Sequence, residues 1–273
     1  MTGIPEYGGL RLAFTTLTAL PMRAGRLDRQ TAGRAMAWSP VVGVVVGALA
    51  SAGIVVMRYA SPESGVQRLL PVGVGIGLLA LLTRGMHVDG LADTVDGLGV
   101  TGRERALDVM RQSDIGTFGV LALVLVVLLQ ASALTTADIA QHGTRSLICA
   151  VATGRIAITW ACARDVPAAR PSGLGALVAG TLPRMVPLAW SVFAVVAGSG
   201  WAYLDDRGRL PQALIQGLAI AVALIVARIV QARLVRRLGG ITGDVLGALC
   251  EIATTVALVL AASLPGADWF HQH

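Results

Sequence analysis

The sequence predicts an all-α, polytopic integral membrane protein: a helix bundle of about seven transmembrane helices with an N-terminal interfacial or re-entrant helix. Of its 273 residues, 55% are hydrophobic and only 14% are charged, whereas a soluble domain carries about 25% charged residues. The apolar residues gather in seven stretches at or near the length that crosses a bilayer. The basic residues, all of them arginine, flank these stretches. We therefore expect residues 1–273 to form one transmembrane domain.

The predicted elements follow from the length of each apolar stretch. Residues 10–20 are apolar but end at Pro21, which makes the stretch too short to span. The second span is short and glycine-rich, so the sequence leaves open whether it has full or half length. A polar helix is expected over 103–112, and a basic extension of the sixth span through Arg237. The predicted spans cover residues 38–57, 69–83, 115–137, 146–163, 185–204, 211–227 and 244–264.

The arginines also predict the orientation. With seven spans, sixteen arginines fall on the side that holds the N-terminus and five on the other, while Arg155 lies within a span. This bias predicts that the N-terminal side faces the cytoplasm. Anionic lipid headgroups account for the net charge of +6, so no nucleic-acid partner is expected. The three cysteines lie in apolar segments without metal-binding spacing and are predicted to be small buried hydrophobes.

One stretch, residues 84–99, concentrates polar side chains in this apolar chain. Asp89, Asp93 and Asp96 recur at i, i+4 and i+7, so on a helix they share one face. Carboxylates this close repel one another unless a cation lies between them, and Mg²⁺ is favoured because it takes carboxylate oxygens and bridges phosphates. The alternative is a solvated loop that includes an N-cap. His87 is a candidate general base, or a phosphate or metal contact; alternatively, it is a polar residue at the membrane boundary.

Further candidates lie outside this stretch. Asp244 and Glu251 are seven residues apart and could complete the metal shell; alternatively, Asp244 is the N-cap of the last span. Arg155 is a candidate because an arginine inside a span is costly unless it faces protein or a polar cavity. Ser113 or Asp114 is the expected cap of the third span, at a helix N-terminus that could also bind phosphate. The substrate-binding candidates are Arg84, Arg105, Arg111, Ser113, Thr117, Arg155, Arg170 and Thr242.

Three polar, glycine-bearing segments fall on the same predicted membrane face. They cover residues 84–117, 164–175 and 239–251. We therefore expect one active site that faces the cytoplasm. Carboxylates with Mg²⁺ beside arginines suit chemistry on a diphosphate or nucleotide-linked substrate. For the arginines of 103–112, a solvated helix with ion pairs is an equally good account.

Several motifs resemble those of the cobalamin synthase family, the adenosylcobinamide-GDP ribazoletransferases. The string GMHVDGLADTVDG at 85–97 is similar to the signature of that family. Other similar segments follow in the family's order: LTALP (17–21), PVVGVVVG (40–47), RALDVMRQSDIGTFG (105–119), ARPSGLG (169–175) and GGITGDVLGALCE (239–251). The chain departs from the family pattern at Ala19, at Pro171 and Ser172, and directly after Glu251.

This resemblance implies a Mg²⁺-dependent inner-membrane enzyme of the late cobamide (vitamin B12) pathway. It implies that adenosylcobinamide-GDP is joined to α-ribazole or α-ribazole 5′-phosphate, with release of GMP, and it marks Asp89 as essential. The expected partners are these two substrates, the lipid bilayer and other membrane-associated corrinoid enzymes. With the residue chemistry above, the expected catalytic residues are Asp89 and His87. The expected metal ligands are Asp89, Asp93, Asp96, Asp244 and Glu251.

Three other functions compete with this interpretation. A CDP-alcohol phosphotransferase would have an arginine after Ala92, where this chain has Asp93, and a second acidic motif that is missing from the sequence. A corrinoid or metal transporter would spread its acids across the membrane depth, whereas these acids gather at one predicted face. A membrane anchor for other corrinoid enzymes would leave the acidic cluster unexplained.

Overall fold

The structure, a computed structural model, describes residues 7–20, 28–60 and 69–263. These residues form α-helices and connecting turns without a β-strand, apart from isolated bridges between Ala163 and Leu182 and between Ala168 and Ile241. The all-α prediction is confirmed. In chain order the helices are α1 (Tyr7–Leu17), α2 (Arg29–Ala37), α3 (Ser39–Ala60), α4 (Leu69–Leu82), α5 (Met86–Leu98), α6 (Arg103–Val109), α7 (Thr117–Ile139), α8 (Gly143–Ala161), α9 (Leu174–Val178), α10 (Met185–Asp205), α11 (Leu210–Leu238) and α12 (Gly243–Ser263).

Five of the described helices, α3, α7, α10, α11 and α12, are long and apolar enough to cross a membrane, which confirms a polytopic membrane protein. A sixth passage results if α4 and α5 count as one, but this pair is bent by 84°. With 14 residues, α4 rises about 21 Å, less than the ~30 Å of a hydrocarbon core. The second predicted span, α4, is therefore too short to cross the hydrocarbon core by itself. α5, with three carboxylates in 13 residues, is the polar arm of the bend rather than a span.

The predicted fourth span, α8, has 19 residues but is less apolar than the five spans. The position of α8 in the bundle explains its lower hydropathy. α8 packs against α3, α7, α10, α11 and α12, and nearly all of its residues are buried, including Arg145 and Arg155. A helix that faces protein along most of its surface tolerates polar residues that lipid would not.

Glycines set the distance between α8 and its two main neighbours. A β-carbon on Gly43 of α3 would lie 2.9 Å from the Val151 carbonyl oxygen of α8. A β-carbon on Gly154 of α8 would lie 2.6 Å from the Cys250 carbonyl oxygen of α12. Small residues of this kind let helix backbones approach closely where the membrane offers no hydrophobic drive for packing.

Near the N-terminus the chain forms two short helices where one was predicted. α1 overlaps the short helix predicted for residues 10–20 but runs from Tyr7 to Leu17. α2 was missed, although its cap is readable: Asp28 accepts a hydrogen bond from the Thr31 backbone N–H at 2.7 Å. Residues that entered the predictions but lie outside the described ranges are Pro21, Arg23, Arg26, Arg68 and Leu264.

Ion pairs connect the helices at one end of the bundle. Arg145, at the start of α8, lies 2.5 Å from an Asp205 carboxylate oxygen and 3.0 Å from that of Asp206. Arg58, near the end of α3, lies 3.1 Å from Asp138 of α7. The acidic residues of α5 lie at the opposite end, where α7 and α12 begin.

Candidate active site

The candidate active site lies where α5 and α12 cross in an antiparallel direction. A β-carbon on Gly90 of α5 would lie 2.7 Å from the Asp244 backbone carbonyl oxygen, and one on Gly247 of α12 would lie 3.0 Å from the α5 backbone. No side chain separates the two helices at these positions. As a result, the carboxylates of Asp89 and Asp93 lie close enough to Asp244 for the three charges to interact.

These three carboxylates form an acid cluster that solvent reaches. Asp89 is exposed, whereas Asp93 and Asp244 are half-buried. The pKa of the Asp93 carboxyl is raised from 3.8 to about 6. Burial is the main cause, and the neighbouring charges of Asp89, Asp244 and Asp96 add to it, while Arg170 opposes it. A cation bound next to this carboxyl would favour its ionised form.

Asp96, the third acid of the predicted helix face, has a structural contact instead. Its Oδ2 accepts a hydrogen bond from the Gly116 backbone N–H at 2.7 Å, and its Oδ1 accepts one from Gly119 at 2.8 Å. Asp96 therefore caps the N-terminus of α7 from a neighbouring helix. The prediction that Ser113 or Asp114 caps this helix is wrong, because α7 begins after Gly116 and has no side-chain cap of its own.

Hydrogen bonds connect the three polar segments of the sequence at this end of the bundle. The Ala169 N–H donates to the Ile241 carbonyl oxygen at 2.9 Å, which joins the second segment to the third. Arg103 joins all three: its Nε donates to the Leu238 carbonyl oxygen at 2.8 Å and its Nη2 to that of Ala169 at 3.2 Å. Charge-assisted bonds to backbone carbonyls fix the relative positions of these segments.

Arg170 connects the 164–175 segment to the acid cluster. Its Nη2 donates to the Leu107 carbonyl oxygen of α6 at 2.5 Å, and its Nη1 lies 3.8 Å from Asp244 Oδ2. Burial lowers the pKa of the Arg170 guanidinium, although Asp244 acts in the opposite direction. Arg170 therefore brings a fixed cation to the edge of the carboxylates.

Thr242 holds Asp244 at the start of α12. The Thr242 hydroxyl donates to Asp244 Oδ2 at 3.1 Å and accepts from the Val245 backbone N–H at 3.2 Å. Thr242 is thus the N-cap of α12, and Asp244 lies within the first helical turn. The alternative interpretation of Asp244 as the N-cap is wrong.

A buried polar cluster lies deeper in the bundle, formed by His87, Gln130, Arg155, Glu251 and Thr255. Gln130 Nε2 donates to Glu251 Oε2 at 2.9 Å and to Thr255 Oγ1 at 3.0 Å. The charge of Arg155 acts on both His87 and Glu251. Burial, and then Arg155, lowers the pKa of His87 well below its usual value, so the imidazole is neutral. Within the described chain, neither of its ring nitrogens has a hydrogen-bond partner.

The five predicted metal ligands are therefore divided. Asp89, Asp93 and Asp244 share the acid cluster, Asp96 caps α7, and Glu251 lies in the buried polar cluster. Across residues 7–20, 28–60 and 69–263, no three His, Cys, Asp or Glu side chains are placed to hold a metal ion by themselves. Mg²⁺ commonly takes one or two carboxylates, waters and substrate phosphates rather than a cage made of protein alone. The acid cluster fits that mode of binding.

The other predicted substrate contacts are exposed side chains. Arg84 is exposed and its Nη2 donates to the Thr18 carbonyl oxygen at 3.0 Å. Gln130 was missed, although it is an isolated amide in an otherwise apolar span and the sequence therefore carries its signal. The three cysteines are free and buried, as predicted. The exposed candidates, on α6, in the connection that follows it or at the start of α7, are Arg105, Arg111, Ser113 and Thr117.

Together, the fold and the site define a multi-pass membrane enzyme with carboxylates and arginines gathered at one end of its helix bundle. The family model for cobalamin-5-phosphate synthase matches residues 9–262. The chain belongs to that family, and its resemblance to the family is confirmed.

The curated relatives agree with this assignment. An adenosylcobinamide-GDP ribazoletransferase of Frankia casuarinae is 48% identical over 264 residues, which cover 93% of this chain and 95% of the relative. Enzymes of the same name from a Nocardioides species and from Desulforamulus reducens are 38% and 34% identical, each over 93% of this chain. They cover 97% and 96% of those relatives. No solved structure matches the chain. The protein is thus a transferase of cobalamin biosynthesis.

Proposed function

We propose that the protein joins adenosylcobinamide-GDP to α-ribazole or α-ribazole 5′-phosphate at the acid cluster, with Mg²⁺ as cofactor. The products are GMP and adenosylcobalamin or its 5′-phosphate. The proposal is supported by the juxtaposition of Asp89, Asp93 and Asp244 at the α5–α12 crossing, beside the fixed cation of Arg170. The names of the relatives supply the donor substrate and the ribazole acceptor.

The proposed reaction is one balanced transfer step, in which one bond to phosphorus forms and one breaks. A hydroxyl of the ribazole ribose attacks the phosphorus that carries the cobinamide. The bond from this phosphorus to the oxygen bridging the two phosphates breaks, GMP leaves with that oxygen, and the hydroxyl proton is released. A 5′-phosphate on the acceptor is kept in the product, so the attacking oxygen belongs to a ribose hydroxyl in either case. One phosphoester bond replaces one phosphoanhydride bond.

The residues of the acid cluster have distinct roles in this proposal. Asp89 is the exposed carboxylate and contacts the reacting groups, while Asp93 and Asp244 would hold Mg²⁺ together with waters and substrate phosphate. When bound there, Mg²⁺ would neutralise the diphosphate and stabilise the leaving phosphate oxygen. Asp244 is held in place by Thr242 and Arg170. Of the five predicted ligands, Asp96 and Glu251 have other contacts that support positioning roles.

Arginines and hydroxyls near the cluster would bind the phosphates. Arg170 is the nearest to the carboxylates, and its link to Leu107 orients the guanidinium plane. The exposed positions of Arg105 and Arg111 suit recruitment of an anionic substrate. Arg84, Ser113 and Thr117 stay candidates for the outer phosphate contacts.

His87 and Arg155 lie too deep for direct contact with a substrate that enters at Asp89, because both are buried. We propose that they act as positioning residues. The neutral ring of His87 lies on the α5 face opposite to the carboxylates, and the charge of Arg155 balances Glu251 below it. Substitution of either residue would change the alignment of α5, and hence of Asp89.

The orientation completes the proposal. The arginine bias supports an inner membrane location with the site in the cytoplasm. A cysteine introduced at the exposed Ser113 should react with a membrane-impermeant thiol reagent only from the cytoplasmic side, because the native cysteines are buried. Labelling from the other side of sealed vesicles would contradict this orientation.

The main test is turnover in membranes that carry the Asp89→Asn variant. Membranes with the native protein should form the cobamide product from the two precursors only when Mg²⁺ is present. Asp89→Asn should reduce turnover by at least about 100-fold, in line with loss of a group essential to transition-state stabilisation. Asp114→Asn is the matched control, since Asp114 is an exposed carboxylate at the same end of the bundle. Retained turnover in Asp89→Asn, with normal insertion, would remove Asp89 from the mechanism.

A further inference from the structure

A groove on the outer surface of the bundle runs between α10 and α11, with Trp160 of α8 at its base. Its volume is about 610 Å³, within the range of pockets that hold small ligands. Most of its wall is aliphatic. The side chains along its length include Val192, Val195, Val196, Leu224 and Ile225.

One end of this groove is polar. Arg228 is the charged residue that lines it, and its guanidinium carbon lies 4.8 Å from the centre of the Trp160 ring. Arg228 Nη1 donates to Gln231 Oε1 at 2.7 Å. Trp160 Nε1 donates to Ser191 Oγ at 3.0 Å, which fixes the ring beneath the guanidinium. Arg228 is therefore held in one position, with donors of its fork still available to an anion.

The nearby carboxylate does not neutralise the positive charge of Arg228. Asp165 is the acid whose charge acts on Arg228. Its carboxylate already forms an ion pair with Arg184 at 3.1 Å. Arg228 therefore keeps a net attraction for a negative group at the end of the groove.

The depth of Arg228 in the membrane matches the level of lipid phosphates. α11 begins at Leu210, and eighteen residues of helix rise about 27 Å, close to the ~30 Å hydrocarbon thickness. Arg228 thus lies where α11 leaves the apolar layer. The residues that line the groove toward the membrane centre are aliphatic, and Arg233 and Arg236 follow beyond the interface.

We infer that this groove binds one anionic phospholipid, with the lipid phosphate on Arg228 and one acyl chain along the aliphatic wall. Charge favours an anionic headgroup, because a choline headgroup carries its own cation next to the phosphate. The groove shares no residue with the acid cluster, so the inference does not depend on the proposed reaction.

The test measures quenching of tryptophan fluorescence in nanodiscs of the full chain. The discs contain either phosphatidylglycerol or phosphatidylcholine with brominated acyl chains at increasing mole fraction. Subtracting the Trp160→Phe variant isolates the signal from the groove. We expect half-maximal quenching of Trp160 at about fivefold lower mole fraction of the anionic lipid, the factor that one interfacial arginine provides.

Four variants separate the parts of the site. Arg228→Gln should abolish the preference, Arg228→Lys should keep most of it, and Arg233→Gln, which removes an exposed arginine outside the groove, should leave it unchanged. Ala221→Phe should fill the groove and weaken quenching by both lipids. Equal quenching by the two lipids in the native protein, or a preference that survives Arg228→Gln, would overturn the inference. A Trp160 response to inorganic phosphate that replaces the lipid effect would also overturn it.

Discussion

Gly90 of α5 lies directly against Asp244 of α12, so that a β-carbon at position 90 would come within 2.7 Å of the Asp244 carbonyl oxygen and 2.9 Å of its Cα. The glycine of the acidic motif therefore sets the distance between the carboxylates of two helices that are far apart in sequence. Small residues at a helix crossing permit this approach in membranes.

Replacing Gly90 with alanine should separate α5 from α12 and misplace Asp89. We expect kcat/KM to fall by about 100-fold, the effect of a displacement near 1 Å at a reacting centre, with a loss of about 1–3 kcal/mol in the free energy of unfolding. Turnover in membranes and thermal unfolding in detergent measure the two effects. Gly77→Ala is the control, because a β-carbon there meets nothing within 4 Å. Equal activity in the two variants would refute the role of the crossing.

The cap that Asp96 provides predicts a loss of stability when it is removed. Asp96→Ala should lower the free energy of unfolding by about 2 kcal/mol, because the Gly116 and Gly119 N–H groups lose their acceptor. Asp96→Asn, which keeps one acceptor oxygen, should lose about half as much. Thermal unfolding of the purified variants gives the values, and Asp114→Asn should change stability by less than about 0.5 kcal/mol. If the Asp96→Ala variant were as stable as the native protein, a stabilising cap by Asp96 would be excluded.

The link from Arg170 to α6 predicts a defect that lysine does not correct. Arg170→Gln should lower kcat/KM about tenfold, the loss of one charged hydrogen bond. Arg170→Lys should remain similarly impaired, because an ammonium cannot reach both Leu107 and Asp244 as the guanidinium fork does. Steady-state kinetics in detergent measure both. As the control, Arg164→Gln removes an exposed arginine of the same segment and should behave as the native protein. Full activity of Arg170→Lys would contradict the prediction, because it would show that a positive charge alone is sufficient at position 170.

The raised pKa of Asp93 predicts a pH dependence of metal binding. Below a pH of about 6 the Asp93 carboxyl is mostly protonated and above it mostly ionised, and a metal binds the ionised form. Mg²⁺ affinity should therefore weaken as the pH falls through about 6, which isothermal titration calorimetry can follow. Asp244→Asn removes one of the negative charges that raise this pKa, so the inflection should move to lower pH. An inflection at the same pH in that variant would contradict the coupling.

The sequence was sufficient for the features that depend on local pattern. Apolar length located the spanning helices α3, α7, α10, α11 and α12, and the i, i+4, i+7 spacing put Asp89 and Asp93 on one face of α5. The predicted order of spans put the three polar segments on one membrane face, and the arginine count assigned that face to the cytoplasm.

Features that depend on partners distant in sequence could not be predicted in this way. Asp96 displaced the local cap candidates because its carboxylate reaches Gly116 from another helix. Glu251 has the right spacing for a ligand, but Gln130 and the charge of Arg155 hold it in the interior. Spacing fixes the face of a helix, whereas packing decides which neighbour that face meets.

The enclosure of α8 by five other helices has a consequence for how the protein is made. On insertion scales, an arginine at the centre of a helix costs about 2.5–3.5 kcal/mol, and Arg155 lies near the middle of α8. The insertion of such a helix into lipid releases little free energy before the neighbouring helices are in place. The short connection from α7, residues 140–142, lets the apolar α7 carry α8 into the bilayer as a hairpin. We expect α10, α11 and α12, which follow in the chain and pack on α8, to complete the exclusion of lipid from its polar side chains.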